Sequence, residues 1–272
     1  SLVCDRYTNK WKMVVEGFVD KLVIEFTSHV GSPAITYTGT YEIVDGDNYD
    51  WKIRFLTSGT LTFDSPVSVL DVFLVGGGGA GSKADTGGGS AGGGGGYTTT
   101  VKNIKVENNI SYEIVVGDGG QISSEDGKAS TAFNQSAAGG FGAKKRSVGG
   151  NGGSGGGVNG RTGASDGANA ETYKTTSQTW KGGTGQGTTT REFGESDGTL
   201  YSGGGGASSK SGGLGGGGKG GTSSHPAGYD GTTNTGGGGG GGYRLANSDS
   251  GNTYGVGGKG GSGIVIIRNH KE

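Results

Sequence analysis

Residues 72–96 read VFLVGGGGAGSKADTGGGSAGGGGG, an apolar strand that runs without a break into glycine tracts. The theme returns at residues 149–157, 203–206, 212–221 and 236–242. A last tract, 257–263, leads into a second apolar strand, Ile264-Val265-Ile266-Ile267. β-Forming sequence therefore brackets the glycine region at both ends.

Glycine fills 69 of 272 positions, where about 7% is usual. Only 29% of the residues are hydrophobic, too few for an ordinary side-chain core throughout. They concentrate in residues 1–75, 97–116 and 264–268. Such a composition reads first as low-complexity disorder, and three features argue against that. The chain has only 3 prolines, glutamate and lysine are sparse inside the tracts, and the sequence returns to a strongly apolar strand. A strict Gly-X-Y period is missing, which excludes collagen. Polyglycine II remains: an extended, left-handed threefold helix with a rise of about 3.1 Å per residue and no internal hydrogen bonds. Helices without side chains can pack so closely that each N–H and C=O finds a partner on a neighbour, as buried backbone requires. Glycine loses more backbone entropy on folding than any other residue, so such a lattice needs many tracts and a stable anchor. The bracketing strands are the expected anchor.

Residues 1–56 read as β framework. Trp11-Lys12-Met13-Val14-Val15, Lys21-Leu22-Val23-Ile24-Glu25-Phe26 and Ile35-Thr36-Tyr37-Thr38 are strand-forming, as is Tyr41-Glu42-Ile43. Asp45-Gly46-Asp47-Asn48 signals a turn before Trp51-Lys52-Ile53-Arg54-Phe55, where Trp51, Ile53 and Phe55 share one face. A turn and short strand over residues 57–63 and a longer strand at 67–75 follow. Residues 97–106 and 111–116 read as a hairpin through Glu107-Asn108-Asn109. From residue 117 to 263 glycine tracts alternate with polar loops, and no further strong strand is expected. The fold class is all-β: an antiparallel sandwich framework with a bundle of polyglycine II helices and almost no α-helix. Three divisions are expected: a β-rich region over 1–53, either an attachment module or extra strands of the sandwich, the glycine-rich domain over 54–268, and a tail over 269–272.

Motifs of chemistry are weak. Gly76, Gly78 and Gly81 satisfy G-x-G-x-x-G after a strand, but no helix follows and the βαβ context of a dinucleotide site is missing. Cys4 is solitary, and His29, His225 and His270 lack ligand spacing. Asp45, Asp47, Asn48 and Asp50 resemble a calcium loop only in part, because Gly46 is misplaced and the distal glutamate is lacking. Glu192, Glu195 and Asp197 cluster in one segment and raise glycan cleavage as a remote alternative. No cofactor, no metal and no catalytic residue is expected. A net charge of −1, with no basic run beyond Lys144-Lys145-Arg146, speaks against nucleic acid. No apolar run nears the roughly 20 residues of a membrane span. The opening Ser-Leu-Val-Cys has no basic n-region, so a secretory signal is either lacking or already removed.

Residues 55–63 (FLTSGTLTF), Asp71-Val72-Phe73-Leu74-Val75 with its glycines, residues 182–195 (GGTGQGTTTREFGE) and residues 261–268 (GSGIVIIR) together resemble the glycine-rich domain of bacteriophage tail proteins and related bacterial surface proteins. The match runs over residues 54–268. The arrangement is also similar to polyglycine-sandwich adhesins at phage fibre tips and, more distantly, to the glycine-rich ectodomain of certain animal receptor kinases. The resemblance implies a non-catalytic receptor-binding protein of a virion tail, with glycine helices as scaffold and the intervening loops on a bacterial surface glycan or protein. Other tail proteins are the implied neighbours, and monomer and homotrimer both stay open. A bacterial cell-surface adhesin or structural module is the alternative.

The loops carry aromatic and arginine residues among small polar ones, a composition that serves adaptable recognition. The candidates are Arg161, Tyr173 and Trp180; Arg191 and Tyr201; His225 and Tyr229; Tyr243, Arg244 and Tyr254. Half of the rings are expected to cap the flank of the lattice instead, with Phe193 the foremost of these.

Overall fold

The two apolar runs that bracket the glycine region lie side by side. In a computed structural model, Val69–Val75 (β8) pairs antiparallel with Ile264–Asn269 (β17), and Val75 stands opposite Ile264. The chain thus enters its first glycine tract from one strand and leaves its last tract into the neighbouring strand. The structure describes residues 32–45, 51–67, 69–246 and 251–270, with the backbone of three earlier strands, Leu2–Asp5 (β1), Lys10–Glu16 (β2) and Lys21–Thr27 (β3). These three form an antiparallel sheet of their own, in the order β1-β2-β3. The expected turn at residues 46–48, the calcium-like acidic run, His29 and the side chain of Cys4 fall outside the described residues.

Two five-stranded sheets make the sandwich. One has the order β5-β6-β17-β8-β9, adding Tyr41–Asp45 (β5), Trp51–Phe55 (β6) and Thr98–Lys105 (β9). The other has the order β12-β11-β10-β7-β4, built from Ile35–Tyr37 (β4), Gly59–Phe63 (β7), Ser111–Val115 (β10), Ser130–Ala132 (β11) and Gln135–Ala137 (β12). Residues 35–53 accordingly supply extra strands to both sheets. Trp51, Ile53 and Phe55 are buried on the shared face as their alternation predicts, and they meet Leu61, Phe63, Leu70, Val72, Leu74, Ile114, Val265 and Ile267 between the layers. Phe73, Val75, Ile264 and Ile266 point to the opposite face of the same sheet and are covered by Phe193 and Tyr201. Burial on both faces is why these two strands are continuous apolar runs rather than alternating ones. Each such side chain contributes about 1.5–3 kcal/mol through burial.

One expectation needs correction. β9 and β10 are not a hairpin: β9 is the edge of one sheet and β10 lies inside the other. Asn108 and Asn109 stitch a corner between the layers, Asn108 Oδ1 accepting from Val67 N at 3.2 Å and Asn109 N–H donating to Phe63 O at 3.0 Å. The stretch after residue 117, where no strong strand is expected, holds short ones of two or three residues. β11 and β12 turn through Phe133 and Asn134, both at positive φ (50° and 59°), the geometry of a two-residue primed turn. Two further hairpins, Tyr173–Lys174 (β13) with Thr179–Trp180 (β14) and Arg244–Leu245 (β15) with Thr253–Tyr254 (β16), close loops between tracts.

The glycine tracts form the expected lattice. In residues 76–82 successive amides turn to three different neighbours and repeat every third residue. Gly76, Gly79 and Ser82 donate to Tyr97, Gly94 and Ala91; Gly77 and Ala80 donate to Lys128 and Glu125; Gly78 and Gly81 donate to Gly261 and Gly258. Those three neighbours run antiparallel to the tract. Its carbonyls serve three more segments running parallel: Gly140 and Ala143 donate to Gly77 and Ala80, Gly239 and Gly242 to Gly79 and Ser82, and Gly120 and Ser124 to Gly78 and Gly81. A threefold helix with six hydrogen-bonded neighbours is polyglycine II in hexagonal packing. Outer amides that lack a helical neighbour are met by side chains, as Gly142 is by Asp126 Oδ1 and Gly185 by Asn169 Oδ1, both at 2.8 Å.

Packing this tight leaves no room for a Cβ. One placed on Gly93 would stand 2.1 Å from the Gly79 carbonyl oxygen, a backbone atom held by the lattice itself. The neighbouring Ala91 and Ala80 are the exceptions, buried at points where a methyl fits. Gly93→Ala is therefore expected to destabilise the protein by about 3 kcal/mol or more, at the top of the range for overpacking. Ala80→Gly should cost only about 1 kcal/mol. Urea unfolding followed by intrinsic fluorescence compares the two.

Candidate functional site

The direction of each tract, read from its hydrogen bonds, places every loop. Tracts parallel to residues 76–82 climb away from the sandwich and those antiparallel descend toward it. The connections at 83–89, 144–148, 159–161, 171–181, 208–210 and 222–225, with residues 243–246 and 251–254, consequently all sit at the end distal to the sheets. Residues 187–201 and 232–235 sit at the sandwich end.

Eight of the ten candidate residues belong to the distal loops or the flank just below them, in two groups. In the first, Tyr173 and Trp180 are cross-strand partners with rings 5.4 Å apart. Trp180 packs on Ala91, Ala143 and Val158 at the top of the lattice. The Arg161 guanidinium lies 5.0 Å from the Tyr173 ring centre, with its Nε 2.9 Å from Glu171 Oε2. In the second, His225 stacks on Tyr229 at 4.6 Å. Tyr243 N–H donates to Pro226 O, and Arg244, opposite Tyr254 across the β15–β16 hairpin, donates from Nη1 to Thr86 O at 2.7 Å. Between the groups, Arg146 donates to Gly87 O and Ser82 Oγ to Lys145 O, so loop 83–88 is clasped from both sides.

The other two candidates do not reach this end. Tyr201 is buried against Phe73, its hydroxyl 3.3 Å from Glu192 Oε2. Burial, then the Glu192 charge, pushes this phenol well above its ordinary pKa, so it stays neutral. Arg191 is occupied at the sandwich end, its Nε 3.4 Å from Asp166 Oδ2 and its Nη1 donating to Gly198 O. Both lie at the sandwich end, in the segment that plugs the outer face of the sheet. Phe193 takes the structural place expected of it, buried with φ at 54° and with the Arg268 guanidinium 3.9 Å from its ring centre.

Two of the three carboxylates of that plug, Glu192 and Glu195, are engaged by the sheet, and Asp197 is exposed. Glu192 is buried between Lys52 and Arg54 of β6, with Arg54 Nη2 at 3.6 Å. Glu195 pairs with Arg268 at 2.6 Å, and Arg268 lies opposite Asp71 in the β17–β8 ladder, with its Nε 3.4 Å from Asp71 Oδ2. Asp71 Oδ1 pairs with His270 Nδ1 at 2.7 Å and accepts from the Asn103 amide at the β9 bulge. The glycines of the dinucleotide-like motif are likewise committed, since the amides of Gly76, Gly78 and Gly81 all donate within the lattice.

Comparison with known families places this architecture. A family model described as a glycine-rich domain matches residues 56–270. The chain belongs to that glycine-rich domain family. Among curated proteins none matches it at a significant level. In this glycine-rich domain the matched span runs from the end of β6 to just past β17, taking in the whole lattice and the central strands that anchor it.

Sequence reasoning passed over Lys174 and Lys181 as site residues. Their signal is the period of two in Thr172-Tyr173-Lys174 and Thr179-Trp180-Lys181, which sends the aromatic rings to one face of a hairpin and the lysines to the other.

Burial alone would raise the Asp71 carboxyl, but hydrogen bonds from His270 and Asn103 and the charges of His270 and Arg268 outweigh it and hold its pKa below the ordinary value. A depressed folded-state pKa gives stability that is present above the unfolded value, near pH 4, and lost as pH falls through the folded one. Asp71→Asn should cost about 1.5–3 kcal/mol at pH 7, because it weakens charge-assisted hydrogen bonds while Arg268 keeps Glu195 as its partner. The same variant should flatten the loss of stability below pH 4, as read from melting curves between pH 2 and pH 7.

Proposed function

We propose that this glycine-rich domain is the non-catalytic receptor-binding part of a bacteriophage tail fibre or related tail-like particle, attaching to a bacterial surface molecule through its distal loops. One observation carries the reading: the tracts deliver seven connections, two of them β-hairpins, to the end opposite the sandwich. Backbone hydrogen bonding holds the lattice independently of what those loops contain. The distal end gathers Arg161, Tyr173, Trp180, His225, Tyr243, Arg244 and Tyr254 on hairpins and clasped loops, aromatic and arginine side chains on a rigid base. Rigid aromatic anchors among small polar residues lose little entropy on binding, which is how recognition surfaces gain affinity. The resemblance of residues 54–268 to phage tail glycine-rich domains supports the virion setting, with the sandwich end toward other tail proteins.

A competition assay tests it. The purified protein is expected to bind host cells and block adsorption of the parent particle. Replacing residues 174–179 with a two-residue turn should lower blocking at least tenfold while the melting temperature stays within about 3 °C, because the change removes a distal loop and no lattice contact. Blocking that survives in full, or a wild-type domain that does not bind, rejects the reading.

A further inference from the structure

The β13–β14 hairpin has two chemically distinct faces. Tyr173 and Trp180 turn toward the lattice and Arg161, while Lys174 and Thr179, paired across the hairpin, turn the other way together with Thr172 and Lys181. This second face is one wall of a cleft of about 370 Å3, closed by Asn169 and Thr184. That volume falls within the roughly 300–1,000 Å3 of small-ligand sites. The lining combines three hydroxyls, a carboxamide and two ammonium groups, with no carboxylate and no aromatic ring. The nearest acid in sequence, Glu171, pairs with Arg161. Lys174 and Lys181 are both exposed and, among the described residues, neither enters an ion pair.

We infer that this cleft binds an acidic sugar, a uronic acid or phosphosugar unit of a surface glycan. Lys174 and Lys181 hold its anionic group, and the threonine hydroxyls and the Asn169 amide meet its ring hydroxyls. The inference rests on the receptor-binding reading and names the ligand class of that surface. A point charge on a flexible stem suits carboxylate and phosphate alike. Closely spaced hydroxyl and amide groups suit a polyol better than an apolar ligand. A nucleobase would need an exposed ring to stack on, and the lining offers none. Lys181 O accepts from Gly149 N and its N–H donates to Ser147 O, which joins the cleft to the 144–148 loop with exposed Lys144 and Lys145. Positive charge therefore continues along the rim and favours a polyanionic chain over a lone sugar.

Isothermal titration of the full chain with galacturonic acid, glucose 6-phosphate, glucose and inorganic phosphate is the test. Both acidic sugars should bind, the tighter of the two identifying the anion, with glucose and inorganic phosphate at least tenfold weaker. Lys174→Gln with Lys181→Gln should lower acidic-sugar affinity at least tenfold without shifting the melting temperature, and Lys102→Gln with Lys105→Gln on β9 should leave it unchanged. Equal binding of glucose, equal binding of inorganic phosphate, tighter binding of duplex DNA, or wild-type affinity in the cleft variant overturns the assignment. Running the adsorption competition in parallel separates the two readings. A cleft variant that blocks adsorption as well as the wild type, while the shortened hairpin does not, retires the acidic-sugar site and leaves receptor binding intact. Acidic-sugar binding by a wild-type protein that blocks nothing does the reverse.

Discussion

The fold depends on backbone hydrogen bonds between chains of glycine that have no side chain to keep them apart. A Cβ on Gly93 would sit almost on the Gly79 carbonyl oxygen, so the closeness that satisfies the amides is the same closeness that excludes every other residue. Each such bond is worth on the order of 1 kcal/mol net, and ordering glycine costs more entropy than ordering anything else. The lattice persists because the bonds close cooperatively on six sides and because both ends of the glycine region are fixed in neighbouring strands of a sheet with a side-chain core. Two kinds of interior are joined here: one apolar and built from Phe, Ile, Leu and Val, the other polar and built from peptide groups.

The joint between them is ionic and aromatic. Phe193 and Tyr201 cover the outer face of β8 and β17, while Glu192 and Glu195 tie the same segment to Lys52, Arg54 and Arg268. A segment that in sequence resembles a catalytic carboxylate cluster is in three dimensions the clamp that holds the first lattice layer onto the sandwich. Buried charge of this kind does little for net stability but fixes register, because each partner is costly to leave alone.

Much of this was legible in the chain. Glycine tracts interrupted by polar loops and bracketed by two uninterrupted apolar runs can be satisfied only if the tracts bond to one another, and Trp51, Ile53 and Phe55 announce their sheet face by alternation. What was not legible rests on partners distant in sequence. Tyr201 looks like a loop aromatic until Glu192 and Phe73 are beside it. β11 and β12 are made of Ser, Thr, Ala and Gln, with too little apolar signal to read as strands, and their Phe133-Asn134 turn lacks the usual glycine. Asn108-Asn109 has the chemistry of a hairpin turn, yet the strands on either side belong to different layers. At the distal end the aromatic residues were visible by type, whereas the two lysines behind them become a pair only once the hairpin register is known.

The threefold repeat of residues 76–82 also constrains how such a protein can change. One residue added to a tract turns every later amide by about 120° and offers it to the wrong neighbour. Two residues do the same in the opposite sense, and only a whole triplet restores the pattern while lengthening the tract by about 9 Å. The scaffold therefore tolerates growth in steps of three or not at all, whereas a distal loop can gain or lose any number of residues. Length variation is confined by geometry to the surface where it alters binding, and the arithmetic of a helix without side chains keeps it out of everything beneath.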